Sequence, residues 1–173
     1  MKRLRFLGLG PGGALLIHTV DPGNRLRLPP ETAEHVPWLK ETSRKAYMFP
    51  GHHGGVQVLR DSIPGGKGAQ QIVSTVQNSL PKAEEAGTEW MRLMRYQLTR
   101  CEVEFSEDRY GIVLPREFRD MELLPNHGQF VAVLILGEVL EIWRADKWAE
   151  HVRDVRGRLL EVTERALDEL ENR

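Results

Sequence analysis

Phe105-Ser-Glu-Asp-Arg-Tyr-Gly-Ile-Val-Leu-Pro115, continued by Arg116-Glu-Phe-Arg119 and Phe130-Val-Ala-Val-Leu-Ile-Leu136, is the stretch that decides the fold. Glu107 to Gly111 reads as a turn, Ile112 to Leu114 as a short strand, and Pro115 as the start of a short helix through Arg119. The apolar run from Phe130 to Leu136 is broken by Gly137, and Leu140 to Trp143 closes a hairpin. Each piece has a local cause. Apolar β-branched runs favour strands, proline suits a first helical position, and glycine at a tip supplies the backbone freedom of a tight reversal.

The front of the chain repeats this pattern. Leu28, Pro29 and Glu31 match Leu114, Pro115 and Glu117 at an offset of 86 residues, and Gly51 matches Gly137 in the same register. Val56 to Arg60 matches Leu140 to Arg144 at an offset of 84, which makes the first hairpin tip two residues longer. The pattern implies an internal duplication, and a repeat changes the fold that single elements would suggest.

Asp21-Pro-Gly-Asn-Arg25, followed by Leu26, Leu28 and Pro29, and the tail Leu140-Glu-Ile-Trp-Arg-Ala-Asp-Lys-Trp148 resemble the MraZ family of tandem SpoVT-AbrB-like domains, over roughly residues 14 to 152. In the second copy the motif positions hold Glu107 and Gly111, and the family's Lys-Gly before the Arg is Gly23-Asn24 here. The resemblance implies a mainly β fold with peripheral helices (α+β), in which two internal repeats form one swapped-hairpin AbrB-like β-barrel. It also implies a DNA-binding transcriptional regulator that recognises repeated elements of double-stranded DNA as a homo-oligomer, cytoplasmic and nucleoid-associated. The alternative is a degenerate relative that does not bind DNA and acts as an assembly or protein-interaction module; Gly111 and the acid balance favour it.

The expected organisation is an N-terminal arm over 1–13, a first repeat over 14–60, a helical insert over 61–99, a second repeat over 100–153 and a C-terminal helix extension over 154–173. The Gly-rich lead reads as a frayed terminus, since ordering glycine is entropically costly. Ala14 to Val20 reads as a strand, Asp21 to Asn24 as its turn, and Arg25 to Leu28 as its partner. A short helix with Glu31 in its first turn ends at Pro37, and Tyr47 to Phe49 with Val56 to Leu59 forms the first hairpin. The insert reads as two helices, the second from Pro81 to about Thr99 with Trp90, Leu93, Met94 and Leu98 on one stripe. Asp146 is expected to cap a last helix with an apolar stripe at Trp148, Val152, Val155, Leu159, Val162, Ala166 and Leu170.

With 173 residues, 40% hydrophobic and 28% charged, the composition is that of a globular chain. A net charge of −1 excludes wrapping nucleic acid with the whole surface, so any DNA contact has to come from a local basic patch. The single Cys101 excludes an intrachain disulfide framework, and no apolar run approaches the length of a membrane span. Asp21, Asn24, Arg25, Arg27 and Arg109 are the DNA-binding candidates. Asp21 can accept hydrogen bonds from backbone or from Arg25, and an arginine held in one rotamer loses less entropy on meeting a phosphate or base edge. Arg27 shares a strand face with Arg25, Arg109 lies near the corresponding second turn, and Asn24 is a turn former first. His52-His53 reads as a flexible tip rather than a metal site, and Gly65-Gly-Lys-Gly68 lacks the spacing of a phosphate-binding loop. No nucleophile has a recognisable flanking motif, so no enzymatic activity, cofactor, metal, small-molecule substrate or membrane partner is expected.

Overall fold

The strands pair by apolar alternation. In β8 (Phe130–Leu136), Val131, Val133 and Ile135 are buried against the main core, together with Leu140 and Ile142 of β9 (Val139–Arg144). In β2 (Gly13–Thr19), Ala14 and Leu16 do the same, and from β4 (Lys45–Pro50) and β5 (Val56–Leu59) Ala46, Met48, Val56 and Val58 join them. Val103 of β6 (Cys101–Glu104) completes the face. The computed structural model describes residues 5–8, 13–51, 54–61, 68–71, 73–74, 77–78, 87, 100–137 and 139–171, of which 5–8, 13, 158–160 and 162–171 are described by backbone alone.

The result is mainly antiparallel sheet with a few helices. With β1 (Arg5–Gly8) at one edge, one seven-stranded sheet has the order β1-β2-β8-β9-β5-β4-β6, and a separate two-stranded ribbon pairs β3 (Arg25–Leu26) with β7 (Ile112–Val113). The sheet ends at β1 and β6, and no pairing among the described residues closes it into the expected barrel. Pairings cross between the two halves of the chain. β2 lies on β8 and β6 on β4, so the first long strand of each half is paired with the hairpin of the other. The hairpins meet where Gln57 faces Glu141, and the ribbon meets where Leu26 faces Ile112.

Two expectations are corrected. Arg25 to Leu28 is not the partner of the strand before it. It touches that strand's continuation only at the Asp21–Arg25 bridge, and pairs with β7, where Ile112 gives the buried Leu26 an apolar neighbour. Within the segment read as a frayed arm, Arg5–Gly8 forms β1, antiparallel on the outer edge of β2. Backbone hydrogen bonds to that edge offset the ordering cost of its glycine-rich surroundings.

The helices cover the sheet. α1 (Thr32–His35) ends before Pro37, which instead opens a 3₁₀ turn (Pro37–Lys40) that buries Trp38 and Leu39. α2 (Arg116–Asp120) buries Phe118. In the insert, the described residues of 69–78 are helical, and Ala69 packs with Phe49 and Leu59; the second insert helix with its Trp90 stripe lies outside the described residues. α3 (Ala145–Glu171) packs its first turn, through Ala145 and Trp148, on Ala132, Leu134 and Trp143, whereas Val152 and Val155 beyond are exposed. It begins one residue before the expected cap, so Asp146 lies inside the first turn and accepts from Arg144 Nε at 3.1 Å and Nη2 at 2.8 Å. Partial burial pushes the Asp146 carboxyl up, but the hydrogen bonds from Arg144, the backbone N–H groups of Lys147 and Asp146 and the Arg144 charge together outweigh it and hold the group below the usual carboxylate range. Among the described residues, no helix is long and apolar enough to cross a membrane.

The first hairpin tip is seated on Trp143 of the other half. A Cβ on Gly55 would stand 2.7 Å from Trp143 Cγ and 2.8 Å from the Ile142 carbonyl oxygen, and the residue's φ is +63°. Both the space and the backbone therefore demand glycine. Gly55→Ala is expected to destabilise the protein by about 2 to 3 kcal/mol, the range of an overpacked core site, as measured by urea denaturation. A loss within about 0.5 kcal/mol, the scatter of neutral surface changes, would show that the tip does not rest on Trp143.

Candidate nucleic-acid interface

The turn before β3 sets the site. Asp21 N–H donates to the Arg25 carbonyl at 2.9 Å, and Gly23 and Asn24 hold the left-handed conformation at φ +77° and +56°. Asparagine tolerates this region better than most residues, which confirms Asn24 as a turn former. It also ties the two halves together. Its carbonyl accepts from Leu114 N–H at 2.8 Å, and its side-chain Oδ1 accepts from His127 N–H at 2.8 Å.

Because strand side chains alternate, the ribbon buries Leu26 and Ile112 and turns Arg25, Arg27 and Val113 outward. Arg25 faces Val113, which is 53% exposed. Asp21 does not hold Arg25 through its side chain. Its Oδ2 lies 3.3 Å from Arg27 Nε, while Arg25 runs the other way, with Cδ 3.7 Å from where a Cβ on Gly111 would stand. Arg25 has no ion-pair partner among the described residues.

Arg109 sits in a 3₁₀ turn (Asp108–Tyr110) in which it and Tyr110 both have positive φ, +53° and +45°. Two consecutive left-handed residues with side chains cost on the order of 1 kcal/mol each. Ser106 holds the turn, since its Oγ accepts from Gly111 N–H at 3.0 Å and donates to the Asp108 carbonyl at 2.9 Å. The Arg109 carbonyl accepts from Leu28 N–H at 2.9 Å, so its backbone adjoins the ribbon; its own guanidinium lies 4.0 Å from Asp108 and is largely exposed. All five candidates thus fall on the ribbon or its turns. Ser106 was missed by the sequence reading, although a serine two residues before an Asp-Arg turn is a recognisable side-chain-to-backbone turn signal.

Arg25, Arg27 and Arg109 share this region with Asp21, Glu107 and Asp108, so its charge is balanced. Elsewhere, a hollow of about 300 Å³ lies between the first hairpin tip and α3, lined by Gly54, Glu122, Lys147, Glu150, His151 and Asp154. Burial, then Glu117 and Glu102, push the Cys101 thiol up, which keeps it in the unreactive protonated form. Among the described residues, no group of three or more His, Cys, Asp or Glu is placed to hold a metal; His52, His53 and residues 65–67 lie outside them. Compared with known proteins, the chain matches no family model and no curated protein.

The Asn24 geometry makes a test that needs no ligand. Asn24→Ala loses both the left-handed preference and the bond to His127 and is expected to cost about 1 to 2 kcal/mol, while Asn24→Gly keeps the turn and loses less. Equal stabilities of the two variants by urea denaturation would contradict this.

Proposed function

We propose that the protein is an MraZ-like DNA-binding transcriptional regulator that reads repeated DNA elements as a homo-oligomer, built from two swapped-hairpin repeats of AbrB type. In this reading it is a binding protein rather than an enzyme, and it works in the cytoplasm on the nucleoid. The observation that carries the reading is the two-stranded ribbon, with one strand from each half and two arginines facing outward. The major groove admits such a ribbon, and arginine is its commonest base-reading residue.

The strand pairs support the repeat. His18↔Val131 and Ala46↔Val103 are related by an exchange of halves at 85 residues, and Leu26↔Ile112 and Gln57↔Glu141 pair each residue with its own equivalent, as a two-fold axis requires. A charge-balanced site binds phosphates weakly, so several copies have to act together. The exposed Val152 and Val155 on α3 are a surface through which copies can associate.

A second reading, a protein-interaction module without DNA binding, is favoured by Gly111 and Val113, which stand in the second half where Arg25 and Arg27 stand in the first. Fluorescence anisotropy with tandem-repeat DNA from upstream of the protein's own gene separates the two. Arg25→Ala is expected to weaken specific binding by roughly 1 to 3 kcal/mol per engaged subunit, and Arg27→Ala to lower the salt slope by about one. If wild type and Arg25→Ala bind repeat and random DNA equally, with the same salt dependence, the regulator reading fails and the interaction module replaces it.

A further inference from the structure

The second half of the ribbon lacks arginines, and loss of function is one explanation. The geometry points to another. Gly111 has an ordinary φ of −77°, so its backbone does not demand glycine. Its surroundings are close on one side: a Cβ there would stand 3.1 Å from Ser106 Oγ, a tight contact, and 3.7 Å from Arg25 Cδ, an ordinary one. The side chain of Arg25 nevertheless passes within van der Waals reach of Gly111, and Val113 is the residue opposite it in register. Arg27 meanwhile is engaged by Asp21.

Arginines at 111 and 113 would put four like charges on adjoining outward positions of one narrow ribbon, where directly opposed like charges are unfavourable. With Gly111 and Val113 instead, one strand carries the charge and the other sets a small and an apolar residue beside it. We propose that Gly111 and Val113 are positioning residues for Arg25, so that each subunit presents one preset arginine held by both halves rather than two independent motifs. This rests on the DNA-binding reading for its consequence, but not for its geometry. A preset guanidinium loses less entropy on binding, which raises discrimination between sequences more than attraction to phosphate.

Val113→Arg, at an exposed position, and Gly111→Arg both restore the missing charge. If the second motif were simply lost, each would tighten specific binding and steepen its salt slope while leaving the ratio of repeat to random DNA affinity unchanged or higher. The positioning role predicts that this ratio falls by at least about fivefold, the low end of what a bidentate arginine contact discriminates, even as affinity for random DNA rises. A ratio that holds or rises in Val113→Arg overturns the proposal, whether or not Gly111→Arg folds. A second readout needs no DNA. The Nε–H of Arg25 in the free protein should show higher order by NMR relaxation than that of Arg156, which is exposed on α3, and Val113→Ala should lower it. Arg25 as mobile as Arg156 in the wild type overturns positioning. An ordered Arg25 in a protein that fails to discriminate any DNA keeps positioning and overturns the regulator reading alone.

Discussion

The first long strand of each half lies on the hairpin of the other. β2 bonds to β8 on its inner edge and to β1 on its outer one, and β6 bonds to β4. An unpaired strand edge in an apolar setting is costly, because each buried N–H and C=O has to find a partner. Exchange between halves is therefore a requirement of the fold, and the core inherits it. Leu16, Met48 and Val58 from the front pack in one cluster with Val103, Phe118, Val133 and Ile142 from the rear. The same dependence reappears at smaller scale where Gly54 and Gly55 lie against Trp143 and where Asn24 bonds across to Leu114 and His127.

The ribbon is the surface consequence of that exchange. A strand of two residues has no stability of its own, and β3 and β7 exist because each half brings its turn to the other. Backbone strain at Arg109 and Tyr110 persists because Ser106 and the Leu28 bond hold the turn from both sides. What reaches the surface is a narrow face with Arg25 and Arg27 on one strand and Val113 on the other. Its balanced charge makes general attraction to polyanions weak.

Much of the fold was legible in the residues, and the gaps have physical reasons. Both hairpins and the helix after Pro115 declared themselves through apolar runs bounded by glycine and proline. The partner of Arg25 and Leu26 did not, since a two-residue strand has no periodicity and its neighbour is set by the other half. β1 was hidden because glycines around Arg5–Gly8 raise the cost of order locally, while the edge of β2 that offsets it is visible only in three dimensions. At the site, the left-handed turn at Asn24 followed from residue type. The choice of Arg27 over Arg25 by Asp21 did not, because both arginines lie within reach of the turn in sequence and only the folded ribbon shows which guanidinium meets the carboxylate.

Mutual completion is tested most directly by separating the halves. Residues 1–80 and 81–173, expressed alone, should each lack a cooperative thermal transition by circular dichroism, and mixing them at equal concentration should restore one. Two separate halves that each melt sharply, with no change on mixing, would contradict the account.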